Sequence, residues 1–256
     1  MKGKVRPISL ARKFVIELMN ASVPLVSVKR VLKLDRLVTA RAQLDARPGW
    51  APMILKAFCI VAREEPSLRM FYLKWPWPHF YELPRSVGMA GIVRDSLDKD
   101  VPIVLKLGPA DEHSLVELET MIQRGKYAPL DEVPSIKRVL RITALPLPLR
   151  RLLWTITMMS GRQRANHVGT FAITSLATLG SETVVARSPG PSMMTYGLLR
   201  PDNTMEVLFQ WDHRIYDGVL AARAMQRLEE VLNDEIVSEL QADVTAPSAA
   251  ATAGQQ

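Results

Sequence analysis

With 256 residues, a net charge of +7 and 48% hydrophobic residues, the chain can bury one sizeable core as a single soluble globular unit. No apolar run approaches the roughly 18 residues of a membrane-crossing helix, and the start of the chain lacks the apolar core and small-residue cleavage site of a secretory signal. The single cysteine, Cys59, excludes an internal disulfide, which fits a cytoplasmic, reducing setting.

In chain order, Arg12 to Asn20 predicts a helix and Val26 to Leu34 a strand. Asp35 opens a helix expected to run to about Ala46, stopped by Pro48-Gly49. A further helix starts near Pro52 and ends before Pro66; Cys59, inside its apolar run Ile54 to Ala62, reads as a small buried hydrophobe. Trp75-Pro76-Trp77-Pro78 is expected to form an ordered loop or rim, because prolines remove backbone donors and restrict the residues before them. Strands follow around Gly88 to Arg94 and Pro102 to Leu107. Ser114 and Glu117 make a capping box ahead of a helix through Arg124.

Leu145 to Gly161 combines Arg150 and Arg151 with Leu149, Leu152, Leu153, Trp154, Ile156, Met158 and Met159. A core helix is the expected reading. The alternative is a basic, aromatic amphipathic helix lying on an anionic membrane surface. Phe171, Ile173 and Ser175 alternate along a strand, and Met205 to Trp211 is rich in β-formers. Leu220, Ala224, Leu228 and Leu232 then fall on one helical face. The Ala/Ser/Thr/Gln-rich end of the chain is expected to be disordered, giving one catalytic domain over residues 1–242 and a tail over 243–256.

The chemistry concentrates at Asp212-His213-Arg214-Ile215-Tyr216-Asp217-Gly218, a strand-to-helix turn with a histidine and a carboxylate four residues apart. Imidazole is the side chain whose unperturbed pKa lies near neutrality, so a positioned one can accept a proton at physiological pH. A lone histidine at a strand end is more often structural, however, and Asp-Gly is a common turn signal.

The motif Asp-His-Arg-x-x-Asp-Gly resembles the signature of dihydrolipoamide acyltransferases, the acyl-transferring core of 2-oxoacid dehydrogenase complexes. Chloramphenicol acetyltransferase carries a similar His-x-x-x-Asp-Gly. Gly169-Thr170-Phe171-Ala172-Ile173-Thr174-Ser175-Leu176 resembles the family's Gly-Thr-Phe-Thr-Ile-Ser-Asn-Leu, with Thr174 where a serine donates its hydroxyl to the tetrahedral oxyanion. Ala177 replaces the glycine that follows. Fainter likeness runs from Arg12-Lys13-Phe14-Val15-Ile16 through Gly88-Met89-Ala90-Gly91-Ile92-Val93 to Val101-Pro102-Ile103-Val104, so that residues 10–240 are covered.

The resemblance implies an α/β (two-layer α+β) chloramphenicol acetyltransferase-like fold, a mixed central sheet with flanking helices. It implies an acyltransferase in which His213 is the general base, Thr174 the oxyanion donor and Asp217 the residue that holds the turn in shape, with Arg12, Arg214 and Gly218 supporting it. Coenzyme A or acyl-coenzyme A is the implied substrate, no metal is implied, and a homotrimer or a larger assembly of trimers is the implied state. In such trimers the histidine faces a neighbour's oxyanion residue. No lipoyl-type Asp-Lys-Ala turn or Pro/Ala-rich linker precedes the catalytic resemblance, so a lipoylated carrier protein acting in trans is the expected acceptor. The alternatives are a stand-alone acetyltransferase on a small hydroxyl or amine compound, and an assembly scaffold of the same fold.

Basic residues crowd the amino end (Lys2, Lys4, Arg6, Arg12, Lys13, Lys29, Arg30 and Lys33), and a second group holds Arg150, Arg151, Arg162 and Arg164. Neither shows the aromatic interleaving or motif of a nucleic-acid-binding surface, so no nucleic acid is expected. The phosphates of coenzyme A or a solvated basic face account for the charge. The sequence has no metal-ligand cluster, Gly-rich phosphate loop or internal repeat.

Overall fold

Alternation of apolar and polar residues sets the central strands. Thr204–Asp212 (β9) buries Met205, Val207, Phe209 and Trp211 on one face, as the two-residue strand period requires. It lies between Leu25–Lys33 (β2) and Ser192–Leu199 (β8), antiparallel to both. Phe171–Thr174 (β7) runs parallel to β8, Gly88–Ile92 (β5) parallel to β7, and Ile103–Gly108 (β6) antiparallel to β5. The result is a six-stranded mixed sheet in the order β2-β9-β8-β7-β5-β6. Lys4–Arg6 (β1), Met70–Leu73 (β3) and His79–Glu82 (β4) make a small separate sheet, in the order β1-β4-β3. The computed structural model describes residues 3–7, 25–92, 103–129, 132–177, 180–181 and 190–245. The helix expected at Arg12 to Asn20 therefore lies outside the described residues, as does most of the tail.

The helices are Asp35–Ala42 (α1), Trp50–Glu64 (α2), Leu115–Tyr127 (α3), Pro134–Thr143 (α4), Leu147–Met159 (α5), Gly161–Val168 (α6), Gly218–Asn233 (α7) and Glu235–Thr245 (α8). α2 is apolar nearly all round and buries ten side chains, the signature of an interior helix. Its Phe58 sits against the rings of Phe171 and Phe209, at 4.5 and 5.3 Å between centroids. α7 lies beside it with Ala224, Leu228 and Leu232 buried, along the face read from the sequence. The capping box at Ser114 and Glu117 is present. Burial pushes the Cys59 thiol up to about 12, so it packs as a small hydrophobe and is not a nucleophile.

Other elements differ from expectation. α1 ends at Ala42, four residues early, because the Arg41 guanidinium donates to the Pro48 carbonyl at 2.7 Å and folds the following loop back. β1, β3, β4 and β8 have no counterpart among the sequence-based elements. α8 continues through Thr245, past the residue where the tail was expected to begin. The Trp-Pro segment joins β3 to β4, with a cis Trp75–Pro76 bond and both tryptophans exposed.

The largest correction concerns α5. No residue of this expected core helix is buried. The opposite sheet face is already covered by a smaller cluster of Phe71, Leu73, Leu83, Val87, Met89, Ala165, Val168 and Ala172, against which α5 contributes only Met158. The helix rides outside that cluster. No helix among the described residues is long and apolar enough to cross a membrane.

Candidate active site

The turn after β9 is built around one backbone carbonyl. The Tyr216 carbonyl accepts the Trp211 indole N–H at 3.0 Å and meets His213 Nδ1 at 2.9 Å. A carbonyl oxygen can only accept, so the neutral ring carries its proton on Nδ1, and Nε2 is the basic nitrogen. Trp211 is fully buried, stacks on Tyr216 at 5.9 Å and meets the His213 ring edge-on at 6.3 Å. One apolar anchor thus fixes both the carbonyl and the imidazole. The Ile215 amide closes the turn on the Asp212 carbonyl at 3.0 Å.

Asp212 and Arg214 brace this turn from the side. The buried Asp212 carboxylate accepts the Arg214 backbone amide at 3.0 Å and its guanidinium at 2.6 and 2.8 Å, the fork geometry that suits arginine and carboxylate. The Arg214 guanidinium lies 4.7 Å over the Tyr72 ring. Arg164 approaches the same tyrosine, donating to its carbonyl at 3.3 Å. Tyr72, the place of Arg164 beside it and the Tyr216 carbonyl escaped sequence reasoning. The first two come from distant segments, and a backbone carbonyl has no residue signature.

Asp217 caps α7 by accepting the Leu220 amide at 3.1 Å, so the carboxylate four residues beyond the histidine shapes the turn as a helix N-cap. Asp217→Ala is expected to cost about 1 kcal/mol of stability, while Asp217→Asn, which keeps a side-chain acceptor, stays near the parent. Thermal melts of the two variants measure the difference, and equal melting temperatures would exclude the cap. Arg12, the arginine expected to reach Asp217, lies outside the described residues. A Cβ added to Gly218 meets nothing within 4 Å, so the face of the turn at α7 is open.

Thr174 ends β7 half-buried. A Cβ on Gly91 of β5 would stand 3.0 Å from its Oγ1, so the glycine leaves room for the branched side chain. Upstream, Thr170 is locked by Val87, whose amide donates to its Oγ1 at 2.8 Å and whose carbonyl accepts its amide at 2.9 Å. Gly169, at φ +69°, has Val87 O only 2.6 Å from where a Cβ would be. The close approach and the left-handed backbone both require glycine there.

The structure does not bring Thr174 and His213 together within one chain. Thr174 pairs with Thr195 of β8, and Thr195 pairs with Leu208 of β9. His213 lies five residues beyond Leu208, two strands over. At roughly 3.3 Å per residue and about 4.8 Å per strand, the two are on the order of 15–20 Å apart, with Thr174 level with the middle of β9 and His213 beyond its end.

Two cavities flank this sheet face. One, of about 380 Å³, is lined by Lys106, Arg124, Glu132, Arg138, Asn166 and His167. Lys106 donates to Asn166 Oδ1 at 3.1 Å, and burial together with the Arg138 charge holds its ammonium below the ordinary lysine range. Lys106 pairs with Met89 of β5, the residue two before Gly91, and so projects from the face where Gly91 meets Thr174. Arg124 lies on α3, whose Gly125 packs on Leu105 and Ile92 of the other face, so the electropositive cavity wraps the β6 edge of the sheet. The second, of about 340 Å³, is lined by Tyr72, Trp75, Trp154, Met158, Arg164 and Arg214. Among the described residues no group of three or more His, Cys, Asp and Glu side chains is placed to hold a metal ion.

No protein-family model matches the chain, and no curated protein sequence does. Solved structures do match. A probable dihydrolipoamide acetyltransferase from Listeria monocytogenes shows a TM-score of 0.55 at 18% identity, covering 96% of this chain and 97% of that one. The dihydrolipoamide acetyltransferase of Azotobacter vinelandii shows a TM-score of 0.59 at 17% identity, over 93% and 94%. A serine, a histidine and an asparagine, the last two four residues apart, have been investigated there for their role in its catalytic mechanism. A chloramphenicol acetyltransferase shows a TM-score of 0.56 at 12% identity, over 90% of this chain and all of that one. The chain has the chloramphenicol acetyltransferase-like fold.

Proposed function

We propose that this chain is a coenzyme A-dependent acyltransferase whose site is completed between two copies of the chain. The observation that carries the reading is the His213 ring, held by the Tyr216 carbonyl with Nε2 as the basic nitrogen, on a fold shared with two kinds of acetyltransferase. His213 and Asp217 also reproduce the four-residue separation of the histidine and asparagine investigated in the Azotobacter enzyme.

In this mechanism Nε2 of His213 takes the proton of an acceptor thiol. The sulfur attacks the thioester carbonyl of acyl-coenzyme A, and the carbonyl oxygen becomes an oxyanion that accepts a hydrogen bond from the Thr174 hydroxyl of a neighbouring copy. Collapse expels the coenzyme A thiolate, which regains the proton from the imidazolium. The separation of Thr174 from His213 along the sheet favours a closed oligomer, the trimer being the state the resemblance implies, in which one chain's histidine meets the next chain's threonine. Lys106, Arg124 and Arg138 suit the phosphates of coenzyme A, since they gather positive charge in one cavity at the β6 edge of the sheet. The acceptor class named by the fold relatives is a dihydrolipoyl thiol, carried here by a separate lipoylated protein.

Incubation with acetyl-coenzyme A and dihydrolipoamide, or a lipoylated carrier domain, is expected to release free coenzyme A in step with S-acetyldihydrolipoamide. Release no faster than in the protein-free blank, with both acceptors, overturns the reading.

A further inference from the structure

We propose that α5 and the tryptophans beside it form a docking surface for an anionic lipid bilayer. Leu149, Leu152, Leu153, Ile156 and Met159 recur at helical spacing along one side of α5, as an apolar stripe demands. All five are exposed, Leu152 at 56% and Ile156 at 53%. Met158 and Trp154 face the other way, toward the second core cluster and the 340 Å³ cavity, whose lining Met159 joins at the end of the helix. Among the described residues nothing covers the stripe, and a run of large exposed hydrophobics of this kind marks an interaction site.

Charge chooses the occupant. Residues 145–163 carry Arg150 and Arg151 on α5 and Arg162 on the helix that follows, and not one aspartate or glutamate. A surface that is apolar along its crest and basic on its flanks complements a bilayer with negatively charged headgroups, where the apolar side chains enter the acyl boundary and the cations stay at headgroup level. Trp75 lines the same cavity as Trp154, and Trp75 and Trp77 are about 60% exposed. Indoles are the side chains that settle at the membrane–water interface. The competing occupant is a second copy of this chain.

Flotation of the full chain with vesicles of phosphatidylcholine, with and without phosphatidylglycerol, tests the proposal. The chain is expected to float with the anionic vesicles and to stay behind with the neutral ones. Ile156→Glu, which places a charge in the exposed stripe, is expected to lower vesicle partitioning at least tenfold at an unchanged circular dichroism spectrum. Arg151→Ser, a milder change, is expected to lower it about fivefold. Failure of the parent chain to float with anionic vesicles overturns the proposal. If Ile156→Glu dissociates an oligomer in sedimentation and leaves flotation unchanged, the stripe is a subunit contact and the proposal also falls. Failure to float does not bear on acyl transfer, which is read in the thiol-release assay, whereas dissociation would lower that activity as well, because the proposed site spans two copies.

Discussion

Replacing His213 with alanine is expected to lower kcat/KM for acyl transfer by about 100- to 10,000-fold, the range over which a positioned general base contributes. The same change is expected to leave the fold intact. The Tyr216 carbonyl that holds Nδ1 is also held by the buried Trp211 indole at 3.0 Å. The turn is closed independently by the Ile215 amide on the Asp212 carbonyl and by the Arg214–Asp212 fork. The hydrogen bond to that carbonyl, lost with the imidazole, is worth about 1 kcal/mol. Turnover measured by coenzyme A release, beside a denaturant melt, separates the two effects. Full activity in the alanine variant removes His213 from the mechanism.

Thr174→Val, which keeps the branched shape under Gly91 and deletes the hydroxyl, is expected to lose about 100- to 1000-fold in kcat, as for other single oxyanion donors. The informative measurement mixes the two defects. His213→Ala chains and Thr174→Val chains are unfolded together at equal amounts, refolded and assayed. If each site takes its histidine from one chain and its threonine from the next, about half of the histidine ends and half of the threonine ends are intact. Random closed rings then recover about a quarter of the parent activity. Two variants that are each nearly inactive thus give a large signal in mixture. Activity no higher than the mean of the separate variants sinks the shared site and leaves Thr174 without an oxyanion role. The basis is register alone: Thr174 opposite Thr195, and Thr195 opposite Leu208.

Much of the fold was legible wherever one face of an element is buried in the chain itself. β2 falls within a residue of the expected Val26 to Leu34, and β9 spans its β-forming run. α7 carries its buried residues at the expected spacing, and the Ser114 cap and α3 are where the capping box put them. Periodicity reports that a face is apolar without saying what covers it. That is why α5 read as a core helix although none of its residues is buried. The short strands β3 and β4 were hidden because four-residue runs carry too few turns of either period to distinguish them.

The turn from Asp212 to Gly218 was legible as a place for chemistry, because histidine and a helix-capping aspartate announce themselves by residue type. The tautomer was not, because it depends on the backbone carbonyl of Tyr216, and every residue has one. The electropositive cavity was equally invisible, since Lys106, Arg124 and Arg138 come from three elements brought together only by packing.

By itself, the sequence determined the local structures and which residue types stand at the turn and at the end of β7, because pattern, caps and motifs act over a few neighbouring residues. Only the tertiary structure decided that His213 and Thr174 stand two strands apart on one sheet, with His213 beyond the end of β9 and Thr174 level with its middle. The order β9-β8-β7 and its register are set by long-range strand pairing, and no short-range signal carries that distance.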